Sequence, residues 1–188
     1  ALPMPVDAAP AAANAKSQAI DLLTKARAAL SWLSDTPTFY DDLSLREHLE
    51  YVARLHGVET GPDNSDDSGS SDRAEELLIR LQLQSRADDI PTTFSRGLRQ
   101  KAAIALALVR PFRVLLVDEP FVGLDEPGKQ SLMELLDEAA AAGGTLVVAT
   151  HELAFVERVQ RLLALRDGEL VYDGSPSATD VRQLVRAG

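Results

Sequence analysis

The sequence predicts an α/β protein built on a parallel sheet, and three features carry that prediction. Arg113-Val114-Leu115-Leu116-Val117 is a short apolar, β-branched run with Pro111 before it and two carboxylates, Asp118 and Glu119, after it. Such a run reads as a strand buried on both faces of a parallel sheet. A second apolar run, Thr145 to Thr150, follows after one helix-length segment. Strands separated by helices define the α/β class. The carboxylates stand at the C-terminal end of their strand, the end where open α/β sheets bind ligands. Burying two adjacent carboxylates there is costly without a cation or reacting partner. An acidic, solvated turn is the plain alternative for the pair taken alone.

In chain order, Ala1 to Asn14 is rich in alanine and proline and shows no strand alternation. Ala13-Asn14-Ala15 mimics a signal cleavage site, but no basic start or apolar centre precedes it, so a signal peptide is not expected. From Lys16 to Leu30 the spacing predicts a helix, with Ile20, Leu23, Ala26 and Leu30 on one face. Trp32-Leu33-Ser34-Asp35-Thr36-Pro37 follows. Ser44-Leu45-Arg46-Glu47 is a capping box, and Leu45, Leu49 and Val52 mark a helix ending near Gly57. Glu59 to Ser71 is acidic and rich in glycine and serine, and reads as a mobile loop. Its aspartates lack the spacing of a calcium loop and read as solvated. Asp72 to Leu83 is a further helix, with Ala74, Leu77, Leu78 and Leu81 inward.

Phe94-Ser95-Arg96-Gly97-Leu98-Arg99-Gln100 places a good N-cap serine before an alanine-rich helix, with a glycine that permits close backbone approach. A helix N-terminus of this kind attracts anions. After Val117 come the turn Pro120 to Asp125 and a helix with Pro127 in its first turn. Leu132, Leu135, Leu136 and Ala139 face the core, and Gly143-Gly144 ends it. The second strand leads to His151, then a short helix over Glu152 to Gln160. Asp167-Gly168 predicts a hairpin between Leu162–Arg166 and Glu169–Tyr172, and a small helix carries Val181, Leu184 and Val185.

Composition narrows the function. The formal net charge of -10 argues against a nucleic-acid surface. Zero cysteines exclude disulfides and thiolate metal sites. No apolar run approaches the roughly 20 residues that span a bilayer.

The ordered set from Phe94 to His151 resembles the nucleotide-binding subunit of ATP-binding-cassette (ABC) transporters. FSRGLRQ resembles the family's signature motif, LLVDE its Walker B strand with the catalytic glutamate, GLD its D-loop and His151 its switch histidine. Each motif alone is weak; four in order, on the expected elements, are specific. The resemblance covers roughly Trp32 to Gly174, and the wording of the signature is closest to the export-type branch. It implies a P-loop NTPase-like core over 1–43 and 101–188, within one domain, and a helical subdomain over 44–100 that bears the signature. The family's antiparallel β-subdomain and adenine-stacking aromatic have no counterpart.

The resemblance also implies roles. Asp118 would hold Mg²⁺, directly or through water; Glu119 would orient or deprotonate the attacking water; His151 would contact the γ-phosphate of ATP. Ser95 and Gly97, with Gln100 in the same motif, would serve the ATP bound to a facing second cassette. Asp125 would link the two sites, and Asp35 stands where the family's Q-loop usually has glutamine. Lys16 and Ser17 fit the last two places of the phosphate loop G-x-x-x-x-G-K-[ST], the lysine reaching the β/γ-phosphates and the serine the magnesium. Pro10 and Ala15 replace both loop glycines, whose backbone freedom the phosphate cradle requires. Either the chain is degenerate there or it is a joined or incomplete form of a longer one. The implied partners are a multi-span membrane permease, docking near Phe39, Tyr40 and Leu43, and a second cassette, with no nucleic acid. The implied location is the cytoplasmic face of the cell membrane. A non-catalytic cassette that lends its signature to a competent partner is the alternative.

Overall fold

The computed structural model describes residue 18, residues 21–57 and residues 69–178. Lys16, Ser17, the acidic loop and the expected C-terminal helix lie outside those residues.

Helix α1 (21–29) runs into strand β1 (Leu30–Leu33), which pairs in parallel with β2 (Val114–Asp118); β2 pairs in parallel with β3 (Thr145–Ala149). The register sets Leu33 beside Val117 and Asp118 beside Ala149. β1 departs from expectation: the spacing predicts a helix up to Leu30 and no strand at Leu30–Leu33. Four residues are too few to show alternation, and Ser31 interrupts the apolar run. Its hydroxyl is satisfied by donating to Ala107 O at 2.7 Å, on the helix beneath.

Between β1 and β3 four helices were expected, and among the described residues four are present. α2 (Leu45–Leu55) carries the capping box, with Glu47 N–H on Ser44 Oγ and Ser44 N–H on Glu47 Oε2. α3 (Gly69–Arg80) begins three residues before the expected Asp72. α4 (Arg96–Leu108) is capped by Ser95, and α5 (Glu126–Ala141) by Asp125. Leu45 and Leu49 of α2 meet Leu77, Leu78 and Leu81 in and just after α3, and Ile104 of α4, all fully buried. α4 thereby joins the helical cluster to the sheet, where it lies against β1. Leu77→Ala should lower stability by about 2–5 kcal/mol, because it leaves a cavity in this junction. A urea melt with an unchanged midpoint would contradict that packing.

The sheet corrects one expectation. The sequence at 113–117 predicts a strand buried on both faces, but among the described residues only one face of the sheet is covered. Leu33, Leu115 and Val117 point toward α4 and α5 and are buried, whereas Trp32 is 65% and Val147 56% exposed on the opposite face. The apolar character of both faces is present in the sequence; no element among the described residues packs over the second. The expected apolar face of α1 is likewise uncovered, with Leu23 exposed.

α6 (Leu153–Val156) is shorter than the expected span, and β4 (Leu162–Arg166) and β5 (Glu169–Gly174) form the antiparallel hairpin. Its turn places Asp167 and Gly168 at positive φ, as an Asp-Gly turn does. No helix among the described residues is long and apolar enough to cross a membrane.

Candidate active site

Because all three strands run parallel, their C-terminal ends form one edge. Asp35 follows β1, Asp118 and Glu119 end β2, and His151 follows β3, so the pairing brings to one edge residues that lie far apart in sequence. Asp35 is exposed there and is bonded to its neighbours, accepting from Ser34 Oγ and Thr36 Oγ1, both at 3.2 Å.

Asp118 is exposed at the strand end. Glu119 leaves the strand with φ +43°, while its N–H still donates to Ala149 O at 2.9 Å. A bulky residue in the left-handed region costs of order 1–3 kcal/mol and persists only where its surroundings hold it. The turn aims the carboxylate sideways toward the end of β3. His151 Nδ1 stands 2.9 Å from Glu119 Oε2. The distance is that of an ion pair, yet the approach lies off hydrogen-bond direction, and among the described residues this buried oxygen has no hydrogen-bond partner. A buried carboxylate oxygen without a donor is costly unless something binds it. A carboxylate pair with one exposed and one unsatisfied member suits Mg²⁺, which takes one or two carboxylates with phosphates and water. Among the described residues there is no cluster of three or more His, Cys, Asp or Glu side chains placed to hold a metal ion.

The other residues expected at the site lie at the N-terminus of α4. Ser95 Oγ accepts from Leu98 N–H at 3.4 Å and leaves an exposed, donor-rich helix end. Gly97 has a reason visible only in three dimensions: a Cβ there would meet Gly123 O at 2.7 Å. Gly123 itself sits at φ +83°. Gln100 is 5% exposed, and its amide donates to Pro120 O at 3.1 Å, so it holds the turn after Glu119.

Asp125 caps α5 by accepting from Gly128 N–H at 3.1 Å and pairs with Lys101 Nζ at 3.0 Å. The lysine holds the Asp125 carboxyl below its ordinary range, with the capping amide acting in the same direction. Lys101 was not singled out from the sequence; in the signature helix it reads as one more polar position.

Sequence reasoning also missed His48. Its ring is buried on α2, accepts Tyr40 N–H on Nε2 at 2.9 Å and faces Ser44 O with Nδ1 at 2.8 Å. Both contacts require the neutral ring with its proton on Nδ1. This pins the Phe39–Tyr40 segment to α2, where the Tyr40 and Tyr51 rings meet edge to face.

A parallel sheet with carboxylates and a histidine at its C-terminal edge, flanked by a capped glycine-containing helix, is the arrangement expected of an ATP-binding cassette of the P-loop NTPase class. The chain belongs to the ABC transporter family, which its residues 10–122 match. Among curated relatives, it is 30% identical over 146 residues to the uncharacterized ABC transporter ATP-binding protein YthP of Bacillus subtilis, covering 77% of this chain and 59% of that protein. It is 39% identical over 101 residues to the macrolide export ATP-binding/permease protein MacB of Bartonella quintana, covering 54% of this chain and 15% of that one. The chain thus spans 59% or less of these relatives. Among solved structures, the ATP-binding subunit of an ABC transporter superposes with TM-score 0.78 at 26% identity, covering 89% of this chain and 71% of that one. A dimeric post-hydrolysis structure of the ATP-binding cassette MJ0796 with ADP and Pi gives TM-score 0.69 at 27% identity, covering 82% and 66%.

Proposed function

We propose that the chain is the ATP-hydrolysing subunit of an export-type ABC transporter and that it works through a separate membrane permease. The observation that carries this reading is the Glu119–His151 pair at the sheet edge, with an unsatisfied carboxylate oxygen in a strained turn. A strained, under-satisfied acid beside a histidine is poor for stability and suited to chemistry. Hydrolysis of a phosphoanhydride needs positioning and charge stabilisation more than covalent participation. Glu119 takes a proton from, or orients, the attacking water, and His151 holds that water against the γ-phosphate. Mg²⁺ bound with the nucleotide, on the side of Asp118, would offset charge on the phosphate oxygens. Lys16 and Ser17 complete the phosphate side, and Asp35 lies at the neighbouring strand end.

Two such chains face each other in this reading. Ser95 and Gly97 of each grip the nucleotide of the other through the helix N-terminus, and Asp125 stands between the sites. Its MacB and pyoverdine-export relatives carry a permease in their names, which supports a membrane partner. The surface for it is Phe39, Tyr40 and Leu43, where Tyr40 is 55% exposed on a segment fixed by His48. The chain then sits peripherally on the cytoplasmic face of the membrane.

Pro10 and Ala15 favour a second reading, a cassette that lends its signature while its own site is silent. Affinity purification from native membranes tests the first. A multi-span protein should co-purify, and ATP turnover should require it. Isothermal titration of the chain alone with Mg-ATP should give little heat, because Pro10 and Ala15 resist the loop conformations that wrap phosphates. Micromolar affinity would refute that account of the loop, and recovery of a soluble partner in place of a multi-span one would refute the transporter reading.

A further inference from the structure

Four contacts tie the start of α4 to the turn between Glu119 and α5, all within one chain. Gly97 admits Gly123 O where any Cβ would stand 2.7 Å from it. The Arg96 side chain lies over Gly123, its Cγ 3.5 Å from where a Cβ would be built there. The buried Gln100 amide donates to Pro120 O at 3.1 Å. Lys101 Nζ lies 3.0 Å from Asp125 Oδ1 and 3.4 Å from Gln82 Oε1.

Lys101 is the member that needs explaining. It is 7% exposed, and a buried ammonium is retained only where it is paired and hydrogen-bonded. Its stem fills the space beside Gly128: a Cβ at that glycine would come within 2.8 Å of Lys101 Cε and 2.6 Å of Asp125 Oδ1. A glycine in the first turn of a helix has a helix-propensity cost, so the helix gives up stability to admit the pair. The same Asp125 oxygen caps α5. The lysine therefore reaches from the phosphate-facing helix to the cap of the helix after the catalytic turn.

We propose that Lys101 is a positioning residue: it clasps the turn 119–125 to the N-terminal end of α4, so that Ser95 and Gly97 move with Asp125 as one unit. A nucleotide gripped by Ser95 and Gly97 in the facing chain then reports its presence to the turn that carries Glu119 at its start. The coupling direction is α4 to turn to Glu119, across one chain. The proposal rests on the ATPase reading above for its consequence, but the clasp itself can be read without turnover.

Hydrogen exchange on the full chain tests it with Lys101→Met, which keeps the volume, Lys101→Arg, which keeps the charge, and the exposed Asp125→Asn as a variant with little folding risk. Lys101→Met and Asp125→Asn should each speed exchange roughly tenfold at amides 123–128 and, in parallel, at 97–100, as loss of a local restraint does. Lys101→Arg should stay near wild type. Faster exchange in one segment alone, or in neither, overturns the clasp. With the membrane partner present, Lys101→Met should lower kcat for ATP about tenfold at unchanged KM. Wild-type turnover in that variant overturns positioning whatever the exchange shows. A wild-type assembly without turnover, combined with parallel exchange, instead sinks the ATPase reading and leaves the clasp standing.

Discussion

Glu119→Gln is expected to lower ATP turnover of the assembled transporter by about 10²–10⁴-fold, the usual worth of a general base, while nucleotide stays bound. The glutamine keeps the size and hydrogen-bonding reach of the side chain, so the left-handed turn at this position and the bond from its N–H to Ala149 O are preserved. What changes is the charge on a carboxylate whose Oε2 is buried with no donor among the described residues. That oxygen loses its negative charge, so the variant should fold at least as stably as the parent. Loss of a like charge beside the γ-phosphate should favour the closed pair of cassettes. His151, 2.9 Å away, should keep its place, and the contact proposed for it with the phosphate should survive. Radiolabelled ATP retained on membranes, together with phosphate release, measures both sides of the prediction. If turnover persists near wild type, this chain's own site is silent and the signature-lending reading replaces the first.

Ser95→Arg should be equally damaging for a different reason. Ser95 caps α4 and stands exposed at its end, where a bulky cation would fill the space proposed for the facing chain's phosphate and remove a polar contact to it. Deleting one donor to a developing anion commonly costs about 10²–10³-fold in rate, and steric exclusion adds to that. Loss of the cap alone costs about 1 kcal/mol of helix stability. Ser95→Ala loses the same cap without blocking the pocket, so it should keep far more activity than Ser95→Arg. Equal turnover in the two variants would show that the helix end faces no nucleotide. Among these variants, a signature-lending subunit would respond to Ser95→Arg and ignore Glu119→Gln.

The candidate site was legible where chemistry and local order coincide. Asp118-Glu119 could be read because a β-branched run ends in adjacent carboxylates, Ser95 because an N-cap precedes a helix, and His151 because it follows the next strand. The capping box at Ser44 is local by nature and appears as read. Strand β1 was missed because Ser31 breaks its short run, and the serine is tolerated only through a carbonyl of α4, 76 residues away. The inward turn of the Gln100 side chain to Pro120 O was not legible in its motif.

Local sequence thus dictated the elements, their caps and the order of the chemical groups, since periodicity, capping and turn preferences act over a few residues. Tertiary structure decided what each group faces. The side-by-side packing of β2 and β3 placed His151 on Glu119, and the approach of α4 to the turn after Glu119 explains Gly97, Gly128 and the buried Lys101. Among the described residues it also left one apolar sheet face uncovered, because the side-chain alternation of a strand states which residues share a face, and only the packing of other elements decides whether that face meets water.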